Sequence, residues 1–116
     1  MKNTKYYVCP SCGSITFCSG NASVSCCGRK LEPLAAQKAG PDEKLTVETI
    51  EDDWFITSKH PMGKDNSISF IAFATGDRIQ IYKQYPEWEI QTRIQRCGHG
   101  KLLWYSTTKG LYYQLI

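Results

Sequence analysis

Four cysteines carry the clearest chemistry in this chain. Cys9 and Cys12 lie in Cys9-Pro10-Ser11-Cys12-Gly13, and Cys26 and Cys27 are adjacent, followed by Gly28. A two-residue gap lets a chain wrap around one ion, with backbone N–H groups turned toward the sulfurs. Gly13 supplies a turn that a side chain would hinder. Two thiolate pairs of this kind predict one iron or zinc ion, since four sulfurs suit either metal. Disulfides are the competing reading, but the neighbours Cys26 and Cys27 cannot bridge each other without strain. A front segment of about 35 residues also falls below the ~40 at which an apolar core alone suffices. Metal binding can supply about 10–16 kcal/mol to such a unit.

Two further cysteines lie outside this set. Cys18 sits between the pairs and reads as a small apolar bystander. Cys97 belongs to Cys97-Gly98-His99, two ligand types too few to hold a metal without partners.

Composition narrows the function classes. The 116 residues allow one ordinary domain or two small ones. Formal charge is 14 − 11 = +3. Four thiolates and a divalent ion change it by −4 + 2 = −2, to about +1. The basic residues are scattered, which argues against nucleic acid. No apolar run is long enough for a membrane span, and Met1–Lys5 leads into Tyr6-Tyr7-Val8-Cys9 without a signal-peptide core. The expected location is the cytoplasm, where disulfides are rare.

The elements that must position these residues fall into two parts. Residues 1–36 form the expected four-cysteine domain, with Ile15–Phe17 and Ser23–Ser25 pairing as a hairpin around Gly20-Asn21. Ala35–Pro41 reads as a linker ending in a Gly-Pro breaker. Residues 42–116 alternate apolar and polar positions. Strands are expected over Leu45–Ile50, Trp54–Ser58, Ser67–Thr75, Arg78–Lys83, Trp88–Ile94, Lys101–Ser106 and Leu111–Ile116, with turns at Asp52-Asp53, Thr75-Gly76-Asp77 and Thr107–Gly110. Seven short strands without a helical period predict an all-β chain whose second part is an antiparallel β-sandwich. Trp54, Phe55, Phe70, Phe73, Trp88 and Trp104 are expected in or near its core.

The segment Tyr7-Val8-Cys9-Pro10-Ser11-Cys12-Gly13, followed by Cys26-Cys27-Gly28, resembles the desulforedoxin-type domain that forms the front of desulfoferrodoxins, the two-iron superoxide reductases. The resemblance continues through His60-Pro61-Met62, Ile68-Ser69-Phe70-Ile71-Ala72, Tyr85-Pro86-Glu87-Trp88 and Gly110-Leu111-Tyr112. It implies a rubredoxin-like metal knuckle holding one mononuclear iron on Cys9, Cys12, Cys26 and Cys27. Behind it, an immunoglobulin-like sandwich would carry the reductase centre.

In that family the catalytic iron has four histidines and an axial cysteine. His60 matches one histidine. The other positions fall on Asn66, on Ser106, on Lys109, and on Glu43 or Leu45. Iron(II) loses its thiolate and most of its imidazole field in such a set. The resemblance therefore implies a second site without metal, in which Lys109 pairs with Glu43 or another carboxylate. It leaves His60 as a structural histidine. By strand length, Cys97 to Ser106 spans roughly 30 Å, which puts the Cys97–His99 loop at the far end from that site.

Three functions follow. The first is a desulfoferrodoxin-like electron-transfer or structural metal protein with a redox partner protein, for which the family offers a homodimer. The second is a superoxide reductase with an altered centre. The third is a zinc-stabilised interaction module.

Overall fold

The alternation of β-branched and aromatic residues with polar ones is realised as strands throughout. The structure is a computed structural model that describes residues 4–9, 12–19, 23–75, 78–96 and 98–116. The expected turns at Gly20-Asn21 and Gly76-Asp77, and Cys97, lie outside the described residues. Among the described residues there are twelve strands and no helix. No helix is long and apolar enough to cross a membrane. The chain divides into two compact units, Met1–Ala35 and Ala36–Ile116.

The first unit holds β1 (Thr4–Val8), β2 (Ile15–Ser19), β3 (Val24–Cys26) and β4 (Arg29–Leu31). β1 pairs antiparallel with β2, and β3 with β4. This corrects the expected pairing of Ile15–Phe17 with Ser23–Ser25. The physical reason is local: Cys9–Ser14 makes its own reversal, so the nearest partner of β2 is β1. Likewise, Cys27-Gly28 is a two-residue turn that returns β3 onto β4. Tyr7, Cys9 and Leu31 form the small buried core, with Cys18, Val24 and Cys26 packed against it.

The second unit is a β-sandwich. One sheet has the order β5 (Gln37–Lys38), β12 (Gly110–Leu115), β11 (Lys101–Ser106), β8 (Ile68–Ala74) and β9 (Ile79–Lys83). The other is β10 (Gln91–Gln95), β7 (Asp53–Thr57) and β6 (Thr46–Ile50). All pairs are antiparallel except β5 with β12. Inner faces of both sheets meet in one core, in which Trp54, Ile56 and Ile94 face Ile71, Phe73, Leu102 and Trp104. Trp54 and Phe73 meet edge to face at 5.1 Å, an arrangement that suits their ring quadrupoles. β8 is buried on both faces, as its apolar run suggested.

Two expectations are corrected here. Ala35–Pro41 is not simply a linker: Gln37–Lys38 adds a parallel edge strand and Ala39 is buried in the core. Trp88 is not a core residue. β10 begins at Gln91, and Trp88 stands 70% exposed in the turn before it.

Where β11 ends, its register against β8 shifts between Tyr105 and Ser106. Such bulges re-aim a side chain at a sheet rim. Nearby, the Gln114 amide accepts the Leu45 N–H at 2.8 Å and donates to the Leu45 carbonyl. That buried pair fixes the start of β6 against β12 and satisfies polar groups that would otherwise be costly.

Candidate metal centre

The reversal after β1 builds the first half of the site. Gly13 N–H donates to the Cys9 carbonyl at 2.9 Å, and Cys9 N–H to the Ser14 carbonyl at 3.0 Å. Gly13 takes a φ of 73°, in the left-handed region that glycine tolerates. The second half is the turn between β3 and β4. Cys27 and Gly28 have φ of 54° and 74°, the two positive values of a type I′ hairpin turn. Cys26 thus ends a strand while Cys27 starts a reversal, so adjacent residues turn their sulfurs to one point.

The four thiols lie within 4.8 Å of one another. Cys12 Sγ is 3.5 Å from Cys26 Sγ, and Cys26 Sγ is 3.8 Å from Cys27 Sγ. A disulfide would require about 2.05 Å. Four ligands at a metal–sulfur distance of about 2.3 Å stand ~3.8 Å apart in a tetrahedron. The cluster is therefore compatible with metal binding, and an all-sulfur donor set fits iron or zinc. Cys9 is buried, Cys26 is half-buried, and Cys12 and Cys27 are exposed, so the group opens to solvent on one side.

Protons are distributed unevenly among these thiols. The Ser14 hydroxyl, 3.0 Å from Cys12 Sγ, and the Ser14 N–H bring Cys12 down to about 6, with the Cys26 and Cys27 thiols adding to the effect. Hydrogen bonding to Cys12 pushes Cys27 up to about 12, with Cys26 and Cys9 contributing. Cys26 is raised as well, first by Cys12. Of Cys12, Cys26 and Cys27, Cys12 is thus the thiolate that forms first, and a second negative charge beside it is resisted until a cation neutralises the group. Ser14 was not singled out from sequence; its only signal is a hydroxyl two residues after a knuckle cysteine.

Cys18 lies outside the group. Its sulfur is 3.9 Å from the Tyr7 hydroxyl, and it packs against the same small core. Burial, followed by the Cys18 contact, raises Tyr7 above the usual phenol value.

In the sandwich, the structure brings together most of the positions expected at the second site. His60 Nδ1 lies 2.6 Å from the Pro61 carbonyl, so it carries the proton and donates. Its Nε2 is 3.1 Å from Ser106 Oγ. Ser106 also accepts the Lys109 N–H at 3.3 Å. Thr108 Oγ1, 3.4 Å from Ser106 Oγ, donates to Asn66 Oδ1 at 2.9 Å. Thr108 was not foreseen.

A cleft of about 460 Å³ opens over this network, lined by Glu43, Lys44, Lys59, His60, Ser106 and Lys109 among others. Glu43 is held below the usual carboxylate range by the Tyr112 hydroxyl, by the Gly40 N–H at 3.1 Å, and more weakly by Lys109. Leu45, the other residue considered at that position, is a buried core residue. His99 lies elsewhere, its Nδ1 3.2 Å from the Ile116 carbonyl beside the start of β11.

No family model matches the sequence, and neither does any curated protein. Solved structures do match. The superoxide reductase from Treponema pallidum superposes with a TM-score of 0.79 at 11% identity, over 98% of this chain and 99% of that one. The chain has the superoxide reductase fold. That is the architecture which the motif resemblance implies, a cysteine knuckle unit followed by a β-sandwich. The superoxide reductase from Nanoarchaeum equitans matches with a TM-score of 0.43 at 19% identity, over 70% of this chain and 96% of that one.

Proposed function

We propose that this chain is a desulfoferrodoxin-like metal protein with one mononuclear centre, iron or zinc, on Cys9, Cys12, Cys26 and Cys27. Its role is electron transfer or stabilisation of the front unit, and the reductase iron site of its sandwich is lost. The observation that carries the reading is the convergence of the four cysteine sulfurs within 4.8 Å of one another.

Bound iron would supply one-electron chemistry, whereas zinc would supply cross-linking alone. The residues of the chain define the rest. Cys9 anchors the group in the core, and Ser14 favours the thiolate form of Cys12. Cys12 and Cys27 form the solvent-facing edge, through which a redox partner protein would exchange electrons. Reduced thiols of this kind suit a cytoplasmic location.

Loss of the second metal is supported by what surrounds His60. Both ring nitrogens already have partners, in the Pro61 carbonyl and Ser106. Lys109 adds a positive charge to the same cleft, which disfavours a further cation.

Metal analysis of protein purified from its native host tests the reading. One iron per chain with visible sulfur-to-iron absorption supports electron transfer, and one zinc in a colourless protein supports the stabilising role. Two metal ions per chain, or rapid consumption of superoxide after mixing, would instead establish an altered reductase.

A further inference from the structure

We propose that the cleft where β9 gives way to β10, walled by Tyr85 and Trp88, binds a neutral sugar chain. The inference stands on the sandwich alone and depends on neither the four-cysteine centre nor the cleft over His60.

Two large aromatic rings stand in water in one turn. Trp88 is 70% exposed and Tyr85 54%, with ring centres 6.0 Å apart and planes tilted by 59°. Clustered aromatic exposure of this kind marks a binding surface. The turn that carries the rings is pinned. The Gln84 N–H donates to the Ser69 carbonyl, the Glu87 N–H to the Met62 carbonyl, and the Trp88 N–H to the Tyr85 carbonyl. Glu87 is held at a φ of 70°, a costly value for a residue other than glycine. A fixed backbone lowers the entropy lost when a ligand is gripped.

Both rings line a cleft of about 460 Å³ together with Gln84 and Gln91, a volume within the usual range for small-molecule sites. It shares no lining residue with the cleft over His60. Its charges cancel. Arg93 is engaged by Asp53 at 2.6 Å and by Glu51 at 3.4 Å, which leaves Lys83 against Glu89, 1 − 1 = 0. A cleft with no net field selects for a neutral ligand. The open polar groups are acceptors. Gln84 donates from its amide nitrogen to the Tyr82 carbonyl at 3.3 Å and to the Thr92 hydroxyl at 3.0 Å. Gln91 donates to Glu89 at 3.1 Å. These bonds orient both amides and leave their oxygens, among the described residues, without a donor. The ligand must therefore stack and also donate. A pyranose does both, through its C–H face and its hydroxyls. A proline-rich segment would stack as well, but proline has no N–H to give.

The test is NMR titration of the ¹⁵N-labelled full chain with maltohexaose, cellohexaose, chitohexaose and, as the competing occupant, decaproline. The expected result is a saturating shift of the Trp88 indole N–H and of the Gln84 and Gln91 side-chain amides with at least one of the three sugars. The sugar that saturates at the lowest concentration assigns the ligand. Trp88→Ala and Tyr85→Ala should each weaken binding roughly tenfold, because each removes an apolar face that the sugar covers. Phe17→Ala, an exposed ring in the front unit, should leave binding unchanged. Absence of saturation with all three sugars, tighter saturation by decaproline than by any sugar, or binding that survives both Trp88→Ala and Tyr85→Ala would overturn the proposal.

Discussion

Metal affinity at the four-cysteine centre should fall steeply as the pH is lowered. Cys26 and Cys27 are both held above the ordinary thiol value, Cys27 at about 12, so both carry protons at pH 7. Each must lose its proton to become a ligand. Uptake of one ion at pH 7 therefore releases at least two protons. Affinity then falls at least about a hundredfold for each unit that the pH drops. Cys12, at about 6, is already ionised at pH 7 and steepens the dependence only as the pH falls through 6. Ser14→Ala removes the hydroxyl that does most to hold Cys12 down. Cys12 then rises toward its ordinary range, and one more proton must leave at neutral pH. The slope should increase by nearly one and the affinity at pH 7 should fall by about tenfold. Competition of the purified protein with a calibrated chelator for zinc, between pH 6.5 and 8, measures both quantities. A slope of one proton or fewer, or an unchanged slope in Ser14→Ala, would refute the assignment of these thiols as a set.

Cys9→Ser should abolish the one-ion stoichiometry and unfold the front unit, whereas Cys18→Ser should keep one ion per chain, as read by metal analysis and circular dichroism. Trp104→Ala should cost about 3–5 kcal/mol in chemical denaturation, because the ring is 2% exposed. Trp88→Ala, at 70% exposure, should stay within about 0.5 kcal/mol of the parent. Gly100→Ala should destabilise the sandwich by about 1–3 kcal/mol, since a Cβ there meets the Ala74 carbonyl and the Phe73 ring.

Much of this molecule was legible in its sequence because strong local signals coincide. The cysteine spacing marked the four residues whose sulfurs converge, and alternation located the seven main strands of the sandwich. Positions decided by contacts far apart in sequence were less visible. Ala39 and β5 join the sandwich through pairing with β12 some seventy residues away, which no local pattern announces. Trp88 looked like an inward strand position, but the turn over Tyr85–Trp88, with Glu87 at a φ of 70°, delays β10 and leaves the indole outside. The two hairpins of the front unit have the opposite cause. Each cysteine segment is itself a complete reversal, so two separate hairpins form where periodicity suggested a single one. Ser14 and Thr108 carry no motif, and their parts emerge only from where their hydroxyls point.

The unequal shelter of the four sulfurs has a consequence for how this centre is loaded and damaged. Cys9 is sealed in the core while Cys12 and Cys27 face water. Chelators, oxidants and alkylating reagents should therefore attack in a fixed order, beginning at the outer pair. A partly stripped protein would still keep its innermost thiol intact, and reloading could proceed from that residue outward.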